Sequence, residues 1–236
     1  MTLIISLILI TLLYSALAKT IKKHSVIFYL GIYLWQAGVI AYYALDLNES
    51  FPEWFTLYFM DVFKRGIFST VTFIIVMFLG AITVHNNTTK KLMSIRGELS
   101  IIASISVICH NIVYGSLYFP ALFKHPEIMT TRNIAASVVT IILLIILIPL
   151  FVTSFKCVRR KMKAKTWKSL QRFAYPFYIL IYVHVMILYT ADIKTNLLGI
   201  ITYTVIYAAY IILRLRKYFL KSKKKSNQIT NKEEVK

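Results

Sequence analysis

The sequence predicts an all-α fold, a polytopic membrane helix bundle of about seven transmembrane helices. Three observations carry this. Apolar residues make up 58% of the 236 residues, and mean hydropathy is +0.67, far above the soluble norm. Several apolar runs approach the ~20 residues needed to cross a hydrocarbon core of ~30 Å. The basic residues fall between those runs and in the C-terminal tail. No barrel-like alternation appears, and an isolated span must satisfy its own backbone hydrogen bonds, so each span is expected to be a helix.

The spans are read in order at 3–18, 25–45, 66–85, 98–118, 134–154, 170–190 and 197–213. The first is short and ends in the A-x-A-like "YSALAKT", as a signal peptide would. Its leading "MTLIIS" carries no positive charge, which favours a retained helix. The longest connection, about 46–65, holds the aromatic and acidic "NESFPEWFTLYF" and reads as an interfacial segment. The remaining loops are too short for a soluble domain. The tail is Lys-rich and is expected to be disordered at its end.

Charge sets the orientation. With the N-terminus outside, segments 19–24, 86–97, 155–172 and the tail from Arg214 lie inside. They hold 3, 3, 8 and 9 Lys/Arg, which is 23 of the chain's 28. The outer segments hold Lys64, Arg65, Lys124, Arg132 and Lys194, together with Asp46, Glu49, Glu53, Asp61, Glu127 and Asp192. This asymmetry predicts seven spans with the C-terminus inside. The net charge of +19 is thereby explained by topology and by anionic headgroups, and no nucleic-acid partner is expected. The 7 glycines form no phosphate-binding loop. Cys109 and Cys157 show neither CxxC spacing nor a disulfide framework.

Five histidines remain to be placed. His24 and His85 fall near inner span ends, and His125 lies in an outer loop, where solvation accounts for them. His110 and His184 sit within spans, where an ionisable side chain faces the bundle interior and marks function. His110 lies 12 residues in from Glu98, ~18 Å at 1.5 Å per residue, and His184 lies 14 residues in from Leu170, ~21 Å. The two imidazoles therefore reach nearly the same depth, in the outer half of the membrane. Zinc would want four ligands, and no intramembrane carboxylate or cysteine set completes such a site. Cys109 points about 100° away from His110 on the helix. A haem brings four equatorial nitrogens and needs only axial partners, so bis-histidine b-type haem is the economical reading. A proton relay, or two unrelated histidines hydrogen-bonding neighbouring helices, remain open on spacing alone. Ala103, Ser104 and Ser106 allow either close helix approach or room for a macrocycle below His110. Phe177, Leu180, Tyr182 and Ile187 surround His184, and Pro176 is a candidate kink.

The stretch "SFKCVRRKMKAKTWKSLQRFAYPFYILIYVHVMIL" (154–188) resembles the second haem-ligand region of the ferric reductase-like transmembrane domain family, closest to the MsrQ-type haem-binding membrane subunits. There a basic loop leads into W-x-x-L-H-R-x-x-Y and then a later L-H. Here the first part reads "WKSLQRFAY", Trp167 to Tyr175, and the later histidine is His184. "IRGELSIIASISVICHNIVY" is similar to the family's first ligand helix, which places His110. The resemblance covers about residues 66–213. It implies a domain organisation of 1–24 as an additional N-terminal transmembrane helix and basic loop, 25–213 as a six-helix haem domain, and 214–236 as a basic cytoplasmic tail.

The resemblance also implies function. Two-haem relatives place a second histidine pair about 13 residues towards the inner face, where this chain has Gly97 and Gln171. One haem b, held by His110 and His184 near the outer side, is therefore expected. A bis-histidine haem is coordinatively saturated, which favours electron transfer over oxygen binding. Each imidazole should be neutral, with its other ring nitrogen bonded to a carbonyl or hydroxyl. The chain is then the membrane electron-transfer component of a reductase system in a bacterial plasma membrane. Its donor would be quinol, flavin or a cytoplasmic reductase. Its acceptor would be an extracytoplasmic reductase, a flavoprotein or ferric iron. Trp167, Gln171, Arg172 and Tyr175 are candidates for an inner quinone or FMN site, with interfacial anchoring as the alternative. The rival function is a small transporter or channel using the two histidines as a proton relay.

Overall fold

A computed structural model describes residues 2–83 and 86–233, so His85 lies outside the described residues. Among the described residues, twelve α-helices follow one another: α1 (Thr2–Lys23), α2 (Ser25–Ala44), α3 (Glu53–Phe55), α4 (Asp61–Lys64), α5 (Ile67–Ala81), α6 (Asn87–Ser94), α7 (Arg96–Lys124), α8 (Thr131–Val152), α9 (Lys156–Arg159), α10 (Ala164–Gln171), α11 (Ala174–Tyr189) and α12 (Ile193–Glu233). A π-turn, Thr56–Met60, joins α3 to α4. Among the described residues no strand occurs. Six helices are long and apolar enough to cross a membrane, and a seventh crossing is completed if the bent pair Glu53–Lys64 and Ile67–Ala81 is one span. The chain is thus a multi-pass membrane protein.

The third span differs from the expected 66–85. α5 has only 15 residues, about 22 Å of helix, and meets the α3–α4 segment at a 53° bend. Gly66 makes the corner with φ of +70°, a left-handed conformation that other residues rarely adopt. At the other end of α5, the Lys217 Nζ donates to the carbonyls of Gly80 and Ile82 at 2.8 and 3.2 Å. The Arg214 Nη1 reaches the Gly80 carbonyl at 3.4 Å. Cations there satisfy the orphan carbonyls and oppose the negative end of the helix dipole.

The sixth span is also broken, between α10 and α11. Pro176 has no N–H to give the Arg172 carbonyl, and the chain turns at Arg172–Phe173 before resuming as helix. The break therefore falls one turn before the proline. The C-terminal tail departs from expectation too. α12 continues as helix through Glu233, where the sequence reading placed a disordered end. No glycine or proline lies between Arg214 and Glu233, and the straight-chain residues there are good helix formers.

Packing places the loops at two ends. α5 runs along α7, α11 along α8, α2 along α7, and α1 along α5 and α6. Ala18 and Ile21 at the end of α1 share a buried cluster with Leu92 and Ile95. Segments 19–24, 86–97 and 155–160 thus gather at one end, as the charge pattern requires. The Tyr14 and Thr72 hydroxyls hydrogen-bond at 3.1 Å, tying α1 to α5 in mid-bundle. Ala103, Ser104 and Ser106 are buried at helix contacts, so these small residues serve close approach. At the opposite end the aromatic segment exposes Phe51, Trp54, Tyr58 and Phe59, as an interfacial element does.

Glu98, 5% exposed, pairs with Lys156 at 2.7 Å and ties α7 to α9. The lysine is 63% exposed, so its removal strands a buried carboxylate while losing little packing. Lys156→Ala is expected to destabilise by about 1–3 kcal/mol, the cost of an unsatisfied buried polar group. Lys156→Arg should restore most of it, and comparing detergent-solubilised melting curves of the two variants checks this.

Candidate functional site

The corner at Gly66 builds one wall of the site. α4 ends at Lys64, and the bend leaves the Lys64 carbonyl outside any helical ladder. His110 of α7 faces that carbonyl, with Nδ1 2.5 Å from the oxygen. The ring lies against Gly66, where a Cβ would approach His110 Nδ1 to 3.2 Å. The Ser69 hydroxyl donates to the Gly66 carbonyl at 2.9 Å and closes the first turn of α5. A carbonyl can only accept, so His110 carries a proton on Nδ1, and as a neutral ring it leaves Nε2 without one.

The second wall comes from α8 and α11. His184 Nδ1 lies 3.2 Å from the Thr140 Oγ1. That hydroxyl already donates to the Ala136 carbonyl at 2.8 Å. It is therefore the acceptor for His184 Nδ1–H, and His184 also keeps Nε2 free. The two histidines reach equivalent states through different partners, one carbonyl and one hydroxyl. Both are among the kinds of partner expected from the sequence, but neither the Lys64 carbonyl nor Thr140 was assigned that role there.

His110 and His184 line one cavity of about 450 Å³, a size typical of a small-molecule or cofactor site. Gly66, Phe73, Val107, Phe177 and Val185 form much of its apolar lining. Arg65, Tyr114 and Tyr189 also line it. Tyr114 packs on His110 with ring centroids 5.1 Å apart. Asn111 turns back to its own helix, donating to the Val107 carbonyl at 2.7 Å. Cys109 is buried but does not line the cavity, in keeping with its position 100° around the helix. Among the described residues, no group of three or more His, Cys, Asp and Glu could hold a metal ion by itself. His24 is exposed and His125 meets Glu127 at 3.1 Å at the surface.

The inner candidates divide. Trp167 Nε1 donates to the Thr153 carbonyl at 3.1 Å, and Gln171 Nε2 donates to the Thr153 hydroxyl at 3.2 Å. Arg159 stacks on Trp167, 4.1 Å from the ring. Tyr175 instead stacks under Arg214 at 4.6 Å, and its hydroxyl accepts from the same guanidinium. Arg172 is exposed. Trp167 and Gln171 thus latch α10 to the end of α8, whereas Tyr175 latches α11 to α12. Gly97 has no heavy atom within 4 Å of a built Cβ.

Comparison with known proteins places the chain in a family. The family described as ferric reductase like transmembrane component matches residues 65–182, half of the chain. The match begins at the corner before Gly66, includes His110 and ends two residues before His184. An uncharacterised protein of Treponema pallidum (strain Nichols) is 34% identical over 227 residues, 94% of this chain and 62% of that protein. The chain therefore spans less than two thirds of that relative's length. No solved structure matches. With half its length matched, and with the paired intramembrane histidines facing one cavity, the chain belongs to the ferric reductase-like transmembrane family.

Proposed function

We propose that this chain is a haem b-binding electron-transfer subunit, with His110 and His184 as axial ligands of a single haem. The observation that carries the reading is the matched state of the two imidazoles. Each places Nδ1 against a fixed oxygen, and a neutral ring that donates there keeps Nε2 available for a metal. An imidazole held this way is a neutral, oriented and strengthened donor. The donor set fits haem: two nitrogens on opposite elements of one apolar cavity, with no cluster that could complete a zinc site among the described residues. Bound there, the group supplies a one-electron ferric–ferrous couple.

The chain's own residues do the rest. Gly66 lets the α7 ring close on the α4–α5 corner, and Thr140 fixes the α11 ring. Phe73 and Phe177, in edge contact at 5.1 Å, help exclude water. Gln171 is engaged with Thr153, and Gly97 offers no ligand, which supports one haem rather than two. The site lies at the end of the bundle that the charge pattern places outside, so the acceptor is extracytoplasmic: a reductase partner, a flavoprotein or ferric iron. The donor is quinol, flavin or a cytoplasmic reductase approaching from the basic end.

The test is the dithionite-reduced minus air-oxidised visible spectrum of the purified protein, with pyridine haemochromogen quantification. Sharp b-type bands at one haem per chain are expected. A folded, colourless protein after expression with ample haem would overturn the reading and put the proton relay in its place.

A further inference from the structure

The two histidines are held with unequal security. Thr140, the partner of His184, sits within a long helix and is locked by its own hydrogen bond to Ala136. Lys64, the partner of His110, is the last residue of the helical segment Glu53–Lys64, which runs through the π-turn and stops at the 53° corner. The last carbonyls of a helical segment have no following turn to hold them, so something else must fix the Lys64 carbonyl.

Asp61 is the group that does so. It begins the same turn, and its carboxylate pairs with Arg65 at 2.7 Å across the corner. It also accepts the Tyr43 hydroxyl of α2 at 2.7 Å. The Lys64 ammonium lies over the Tyr43 ring, 3.7 Å from its centre. Arg65 N–H closes on the Asp61 carbonyl at 2.8 Å. The carboxylate is only 14% exposed, whereas Arg65 is 61% exposed. The turn is thus clamped from both sides by one side chain, with the free carbonyl left pointing at His110.

We propose that Asp61 is the positioning residue for the His110 ring, and that through the Lys64 carbonyl it sets the donor strength of that imidazole. Asp61 touches neither ring nor cavity; it acts through the turn. A carbonyl that holds Nδ1–H increases electron density at Nε2. The redox consequence rests on the haem reading above: a stronger donor favours the ferric state. Loosening the brace shifts the couple towards ferrous.

Two readouts separate the positioning claim from the haem reading. The first needs no haem: the nitrogen chemical shifts of histidine in the full-length, ¹⁵N-His-labelled protein in lipid, with His110→Gln used for assignment. Wild type should show His110 protonated at Nδ1 alone, and Asp61→Ala should show mixed tautomers. The second is a spectroelectrochemical titration of the haem-loaded protein. Asp61→Ala is expected to move the ferric–ferrous equilibrium about tenfold towards ferrous, about 59 mV for a one-electron couple. Asp61→Asn keeps an acceptor for Tyr43 and should give a smaller shift of the same sign. Arg65→Ala removes the exposed partner of the carboxylate and loosens the same turn; because Arg65 also lines the cavity, it serves for the tautomer readout alone if Asp61→Ala fails to fold. Tautomers unchanged in the folded variants would overturn the proposal. A released tautomer with an unchanged potential would overturn its redox half. A colourless wild type whose His110 proton is released by these changes would support the positioning role and sink the haem reading instead.

Discussion

His110→Ala and His184→Ala are each expected to purify without the b-type absorbance of the wild type. On the haem reading, each replacement removes one of the two ligating nitrogens, and no other histidine among the described residues lines the cavity. Disturbing a partner one shell away from a metal already weakens binding about 10–100-fold, so deleting the ligand itself should reduce haem content by at least that much. The protein should still fold. His110 packs against Gly66 and Tyr114 but belongs to a 29-residue helix held along its length by α2 and α5. The two variants should also fail alike, because the pair acts as a unit. A relay would behave otherwise: both variants and the wild type would be colourless, and the difference would appear as lost pH-dependent flux in liposomes. Haem content per chain, measured beside size-exclusion profiles, decides between them.

Gly66→Val is expected to have nearly the same effect without touching a ligand. The position has φ of +70°, and a left-handed conformation costs an ordinary residue about 1–2 kcal/mol. A β-branched side chain there is worse placed still. The first added carbon would lie 3.2 Å from His110 Nδ1 and 3.3 Å from Cγ. The ring must then leave the Lys64 carbonyl, or the corner must open. Either change misdirects Nε2. Gly31→Ala is the control, since its Cβ would meet nothing within 4 Å on a regular helix. A glycine-to-alanine change there should be neutral or stabilising by up to ~1 kcal/mol. Haem retention and melting temperature of the two variants, taken together, measure how much the corner contributes. Full haem loading in Gly66→Val would show that the His110 ring does not depend on it.

The spans and their order were legible because apolar length and basic loops are properties of the chain itself. The shared depth of His110 and His184 was legible for a similar reason, since a helix converts residue count into distance at a fixed rise. What holds the rings was not. Lys64 contributes a backbone atom, and no side-chain pattern announces which carbonyl a bend will free. Thr140 interrupts "VVTIILL", a visible polar break, but its partner lies 44 residues away. The shortness of α5 escaped because Ile82 and Val84 carry the apolar run past its last turn, while its final carbonyls are met by Arg214 and Lys217 from the far end of the chain. Glu98 looked like the interfacial start of a span; only the fold brings Lys156 over it. The sequence grouped Trp167, Gln171, Arg172 and Tyr175 as one inner set. Arg172 is exposed, and the other three have structural partners at two different helices, either side of the turn before Pro176.

The unequal placement of the cavity along α5 has an electrical consequence. Gly66, at one end of that helix, touches His110; the Gly80 and Ile82 carbonyls, at the other, are reached by Arg214 and Lys217. The cavity therefore lies close to one surface and about 22 Å of helix from the other. In the orientation set by the basic loops, the near surface is the outer one. An electron entering from the inner end would cross most of the transmembrane voltage before reaching the site and little of it afterwards. A full crossing is worth about 2.3 kcal/mol per 100 mV, and with the inside negative it runs downhill. Reduction of the site would then quicken in an energised membrane and slow when the voltage collapses, while onward transfer to the outer acceptor would hardly notice.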